Sequence, residues 1–257
     1  YSIVGKPEYF GSMVLMANQR VYEPWLRLTD ALKTNRALTW GDKPGLFEAL
    51  SSNPDQQRMF TQSMHAVSLR SGTSMANALD LSKYRCLMDV GGASGAFCIE
   101  AVRHCPTLRA VVFDLPSALE VAHQKIDEAG FSDRIETIPG DFFLEELPKG
   151  SDLILLSMIL HDWPPGKNIT ILRKCFDALE PGGSIIVSEL MMDDDKTGPL
   201  AAAMMSLCML IDTEGRNYTW NEYTAWLKEV GFTDVRRIPI HSPGANGLLV
   251  GKKPEKG

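Results

Sequence analysis

From about residue 80 to its end the chain alternates short β-branched runs with helical patterns, and this alternation restricts it to a mostly parallel sheet covered by helices. The runs are CLMDV (86–90), AVVFDL (110–115), IETIPG (135–140), SDLILLSM (151–158), SIIVSEL (184–190), DVRRIPI (234–240) and NGLLVGKK (246–253). Seven such strands suit one doubly wound α/β sheet. Between them lie the helical stretches AFCIEAVRHC, PSALEVAHQKIDEAG, GKNITILRKCFDALEPGG, PLAAAMMSLCMLIDTEG and TWNEYTAWLKEVGF. Gly130, the pair Gly182 and Gly183, and Gly231 follow the last periodic residue of three of these, where a helix is expected to stop. HSPGA joins the last two strands with no helix between, which predicts a hairpin with one strand antiparallel to the rest.

The first 80 residues read differently. PEYFGSMVLMANQRVYEPWLRLTDALK and PDQQRMFTQSMHAVSLRSGTSMANAL space their apolar residues three and four apart, broken by Pro24, Pro44 and Pro54. Residues 1–80 are therefore expected to form a helical segment packed on a sheet domain spanning 81–257.

Charge and cysteine usage exclude several functions. With 26 Lys+Arg against 32 Asp+Glu in 257 residues, nothing suggests a nucleic-acid or anionic-membrane partner. Cys86, Cys98, Cys105, Cys175 and Cys208 form no CxxC pair and no ligand set with histidine, which points to reduced thiols in a cytoplasm. No apolar run reaches the length of a membrane span, and no signal peptide is visible. No clustered-carboxylate motif suggests a catalytic metal.

In open α/β sheets ligands sit beyond the carboxyl ends of the strands, and here polar groups gather at five consecutive ends. The first strand runs into DVGGASGAF, with Gly91, Gly92 and Gly95 where a strand turns into a helix, a place for a small, partly anionic ligand. The second ends at Asp114, the third at Asp141, the fourth runs into His161 and Asp162, and the fifth ends at Glu189. Asp114 follows Gly91 by 23 residues, near the spacing between a nucleotide-binding glycine turn and its ribose-binding acid. A nicotinamide dinucleotide fits that spacing too, but the turn reads GGASG rather than GxGxxG. A second acid, Asp141 in GDFF, suits the exocyclic amine of adenine, with Phe142 or Phe143 against the ring.

DVGGASG, VFDLP, PGDFF, ILHDWP, PGG and TEG, in that order, resemble the S-adenosylmethionine-dependent small-molecule O-methyltransferases of the acetylserotonin and plant caffeate type, over roughly residues 55–253. The resemblance implies a Rossmann-like methyltransferase domain behind a helical region that forms a homodimer, of which this chain carries the later portion. It implies that Gly91, Asp114, Leu115, Asp141, Phe142, Ser157 and, from the preceding helix, Ser68 line the S-adenosylmethionine site. It makes His161 the base that takes a proton from a small aromatic substrate, oriented by Glu214 or Glu189, with Glu214 preferred. Trp163, Met158, Met205, Cys208, Met209, Phe60 and Met64 are the expected substrate slot. Asp162 is placed with them, its alternative being a cap on the helix that begins near Pro165. His65, His104, His123 and His241 have no such surroundings and are read as structural. The alternative function is a homologue that binds the same cofactor but hydroxylates, decarboxylates or rearranges its substrate.

Overall fold

The computed structural model describes residues 11–40 and 45–255. Strands β1 (Cys86–Val90), β2 (Arg109–Asp114), β3 (Ile135–Pro139), β4 (Leu153–Ser157), β5 (Ser184–Glu189), β6 (Thr233–Pro239) and β7 (Gly247–Lys252) form one sheet in the order β3-β2-β1-β4-β5-β7-β6. All neighbours from β3 to β5 pair in parallel; β7 runs antiparallel to both β5 and β6, as the helix-free HSPGA link requires. The order reverses between β1 and β4, so the crevice for a ligand opens at their carboxyl ends.

Parallel strands covered on both faces carry apolar side chains on both, and β4 does so in strict alternation. Leu153 and Leu155 join the core with Leu87, Ile186, Leu248 and Val250, under α6 (Ala96–His104) and α7 (Pro116–Glu128). Ile154 and Leu156 join the opposite core with Met88, Ile185, Val187 and Leu249, under α8 (Pro165–Ala178) and α10 (Trp220–Val230). All four β4 residues are fully buried, so truncating any one to Ala costs about 2–5 kcal/mol.

Before β1 the described chain is helical: α1 (Gly11–Met16), a π-helical turn (Ala17–Val21), α2 (Tyr22–Trp25), α3 (Leu28–Thr34), α4 (Leu46–Ser51) and the long α5 (Pro54–Ala78). Pro54 begins α5 rather than breaking a helix: at N1 its missing N–H costs nothing, and the Asn53 side chain accepts from the Gln56 amide at 3.2 Å. Pro24 lies within the short α2, and Pro44 falls outside the described residues. α9 (Leu200–Asp212) returns from β5 to these helices, its last turn accepting hydrogen bonds from Leu38 N, Thr39 Oγ1 and Trp40 Nε1.

Candidate active site

Gly91, Asp114, Ser157 and His161 lie at or just beyond the carboxyl ends of β1, β2 and β4. Gly91 continues β1 with φ +74°, and a Cβ at that position would overlap Cδ1 of Ile159, which follows β4. Glycine takes this dihedral without strain, whereas any other residue would also have to displace the end of the Ile159 side chain. Ala93 in the same turn also lies at positive φ, +46°, and its amide donates to Asp114 Oδ2 at 2.7 Å, while Leu115 N donates to Oδ1 at 2.6 Å. The Asp114 carboxylate is thus pinned at the glycine turn, with lone pairs left on both oxygens. Burial raises its pKa to about 6 against these two hydrogen bonds.

Asp89, within β1, is 2 % exposed; its Oδ2 has no partner among the described residues, and burial with the nearby charge of Asp114 raises it to about 8. Ser157 Oγ, at the end of β4, is likewise buried without a partner. These two unsatisfied groups, one on each strand beside the crevice, together with a bare glycine at the first position of the turn, fit a ligand with polar substituents. Asp141 Oδ1 accepts from Phe143 N at 2.7 Å. Phe142 and Phe143 both pack edge-on against Trp163, at 6.4 and 4.8 Å between centroids, and Trp163 stacks on Phe47 at 5.4 Å. The structure therefore joins the two phenylalanines and Trp163, the tryptophan expected in the substrate slot, in one aromatic wall.

His161 lies in a 3-10 turn, Leu160–Asp162, entered through Met158 at φ +55°, a strained dihedral for a side chain of that size. The turn is held from several sides. Glu189 Oε1 accepts the amides of Ile159 and Leu160 at 3.1 and 3.0 Å. Asn168 Nδ2 donates to the carbonyls of Leu160 and Trp163, and Tyr218 Oη donates to the Trp163 carbonyl at 2.6 Å. With Oε1 so engaged, Glu189 Oε2 lies 2.8 Å from His161 Nδ1, and both side chains are buried. Asp162 Oδ1 is 3.7 Å from Nε2. Burial opposes the imidazolium, but the negative charges of Glu189 and Asp162 outweigh it and hold His161 at about 9. Asp162, pushed up by its own burial, sits at about 7.

Glu214, the preferred orienting acid, is not brought to the imidazole. Its carboxylate accepts from Lys167 Nζ at 2.9 Å and is half exposed. The reason lies one residue on: Gly215 passes so close to the His161 carbonyl and the Trp163 amide that no Cβ fits there. TEG meets HDW through its glycine, and the neighbouring glutamate turns outward. Asp162 is no helix cap either, for Pro164 occupies the N-cap position of α8.

Other features carried weaker sequence signals. His65 on α5 contacts Ser94 of the glycine turn, Nδ1 to Oγ 2.8 Å, and its burial lowers it to about 4. Arg20, Thr39 and Trp40 of the helical segment gather on Asp212 at the end of α9; an acid closing the apolar stretch of α9 was the one visible hint. Ser68, Met64, Met205 and Cys208 are partly buried, and Met209 is buried. A surface hollow of about 420 Å³ lined by Arg173, Phe176, Asp177, Glu229 and Val230 sits at the C-terminal ends of α8 and α10. Those helix ends lie at the opposite rim of the sheet from the carboxyl ends of its parallel strands, away from this chemistry. Among the described residues no three His, Cys, Asp or Glu side chains are grouped to hold a metal ion.

A sheet of this order, with a glycine turn and acids at the ends of β1, β2 and β3, defines a Rossmann-like methyltransferase fold. The chain belongs to the O-methyltransferase family, whose model, described as an O-methyltransferase domain, matches residues 25–233. It is 43 % identical over 255 residues to 3-hydroxy-5-methyl-1-naphthoate 3-O-methyltransferase of Streptomyces sahachiroi, covering 98 % of this chain and 73 % of that one. It is 36 % identical over 240 residues to acetylserotonin O-methyltransferase of Bos taurus, covering 92 % and 69 %. Its fold superposes on human N-acetylserotonin methyltransferase in complex with S-adenosylmethionine with a TM-score of 0.90 and 32 % identity, over 99 % of this chain and 73 % of that one. The chain is accordingly an S-adenosylmethionine-dependent O-methyltransferase.

Proposed function

We propose that the acceptor is a hydroxyl on a small aromatic molecule and that His161, oriented by Glu189, is the general base. The observation that carries this reading is the 2.8 Å approach of Glu189 Oε2 to His161 Nδ1. The two groups face each other at ion-pair distance without hydrogen-bond alignment, so Glu189 supports positive charge on the ring from the Nδ1 side and Nε2 is left to receive a proton. Similarity to enzymes named for a hydroxynaphthoate and for acetylserotonin supports an aromatic acceptor.

When bound, S-adenosylmethionine supplies a methyl group on a positively charged sulfur that departs as a neutral thioether. Asp114 would accept the ribose hydroxyls and Asp141 the adenine amine, with Phe142, Gly91 and Leu115 also holding the nucleoside. Ser157, Ser68 and Asp89 would serve the methionine end, Asp89 and Ser157 through their unsatisfied oxygens. His161 would accept the hydroxyl proton at Nε2, and Glu189 would stabilise the imidazolium formed. A proton already on Nε2 blocks this, so the elevated pKa of His161 makes the free protein a poor base at neutral pH. Trp163, Met158, Met205, Cys208, Met209, Phe60, Met64 and Asp162 would bound the aromatic slot.

The helices before β1 are proposed to pair with a second copy, since Val14, Leu15, Tyr22, Leu26 and Leu32 stand exposed on them. No described helix is long and apolar enough to cross a membrane, and with its five cysteines free the protein is proposed to work in a reducing cytoplasm. The testing experiment is transfer of labelled methyl groups to a panel of phenols and naphthols. Transfer that disappears in His161→Ala, while calorimetry still finds the cofactor bound, is the expected result. Undiminished transfer in that variant rejects the assigned base.

A further inference from the structure

Arg20 is 9 % exposed, in the helical segment rather than the sheet domain, and only part of its guanidinium is satisfied. Nη2 donates to Asp212 Oδ2 at 3.2 Å. Nε and Nη1, which carry three N–H hydrogens between them, have no acceptor among the described residues. A buried permanent cation left in that state is costly, and natural sites retain one where a ligand completes it.

The group is also held in place. Its carbon lies 4.7 Å from the centroid of Trp40 and 5.0 Å from that of Phe60. Asp212 cannot swing to cover the free nitrogens, because Thr39 Oγ1 donates to its Oδ1 at 2.7 Å and Trp40 Nε1 donates to its carbonyl at 2.8 Å. Four parts of the chain, the π-helical turn, residues 39–40, α5 and the end of α9, thus fix one guanidinium with donors to spare.

This corner belongs to the substrate side of the crevice. Phe60 shares α5 with Met64, and Asp212 ends the helix that carries Met205, Cys208 and Met209. Arg20 and Asp212 both act electrostatically on Asp162, which neighbours the His161 imidazole. Nη2 donates one of its two hydrogens to Asp212, and its second makes a fork with an unmet Nε or Nη1 hydrogen that fits a planar anion with two acceptor oxygens, the geometry in which arginine outperforms lysine. Asp162, held at about 7, is partly neutral at physiological pH and so tolerates another negative charge nearby.

We propose that Arg20 is a specificity residue that reads a carboxylate carried by the aromatic substrate, so that hydroxyaryl acids are preferred over neutral phenols. The proposal rests on the methyl-transfer reading above, and its test reads binding rather than turnover. Protein saturated with S-adenosylhomocysteine is titrated calorimetrically with hydroxynaphthoates and hydroxybenzoates and with their methyl esters. The acids are expected to bind at least ~10-fold more tightly than the esters. Arg20→Met is expected to bring that ratio close to one, and Arg20→Lys to keep part of it. Removing Arg20 strands the Asp212 carboxylate, so the Arg20→Met/Asp212→Asn double variant carries the same comparison if the single one fails to fold. Acids that do not bind, esters that match acids in the wild type, or variants that weaken both equally overturn the proposal. Selective acid binding without methyl transfer to any member of the panel would instead reject the aromatic-hydroxyl reading and leave Arg20's role standing.

Discussion

Glu189 holds the backbone of the HDW turn with one carboxylate oxygen and the His161 imidazole with the other, 3.0–3.1 Å to the amides of Ile159 and Leu160 and 2.8 Å to Nδ1. One buried acid therefore both fixes the turn that carries the ring and, with Asp162, raises its basicity. Glu189→Gln can still accept from the two amides but carries no charge, so the pKa of His161 falls. The acid limb of the pH profile of kcat/KM, expected to approach 9 in the wild type, should move to lower pH. His161→Ala should lower kcat by about 10²–10⁴-fold. Steady-state kinetics across pH 6–10 would reveal both effects, and an unmoved limb in Glu189→Gln would refute this coupling.

Glu214→Gln should cost much less than Glu189→Gln. Half-exposed ion pairs such as Glu214 with Lys167 contribute about 0–1 kcal/mol, and this one makes no contact with the imidazole. Parallel measurement of kcat for the two variants decides it; equal losses would restore Glu214 to the orienting role.

Two glycines should separate binding from chemistry. Gly91→Ala places a methyl group against Ile159 at a left-handed dihedral that costs about 1–2 kcal/mol on its own, and should weaken cofactor binding. Gly215→Ala pushes on the His161 carbonyl, and should lower kcat while cofactor affinity stays within a few-fold. Calorimetry with S-adenosylhomocysteine alongside turnover distinguishes them.

Cofactor affinity should weaken as pH falls through about 6, where Asp114 takes up a proton and loses acceptor strength toward the ribose hydroxyls. Asp114→Asn should bind weakly and lose that dependence. Titrations at pH 5, 6 and 7 provide the check.

Stability without cofactor should decline from pH 6 to 9. Asp89, Asp162 and His161 hold their protons to about 8, 7 and 9 in the fold, against about 4, 4 and 6.5 in the unfolded chain. The folded state thus binds more protons over this window, so stability is lost as pH rises through those folded values. Denaturant midpoints measured at intervals of one pH unit should fall steadily; a rise would contradict the assignment.

Much of the sheet was legible in the sequence because its determinants are local. β-branched runs set the strands to within two residues, Gly130, Gly182 and Gly231 adopt positive φ where the helices were expected to stop, and HSPGA imposed the antiparallel hairpin. The polar residues at the strand ends were visible too, since the topology of a doubly wound sheet sends them to one rim. What the sequence could not express is which of two acids meets the imidazole. That depends on how closely the loop between α9 and α10 approaches the loop after β4, where the space beside His161 and Trp163 admits only the bare backbone of Gly215 and sends Glu214 to solvent. The same holds for Arg20 and Asp212, 192 residues apart, which look like ordinary charged residues of amphipathic helices until the helical segment folds over the crevice and takes both out of water. Local pattern decided the elements; desolvation and steric exclusion between distant segments decided the chemistry.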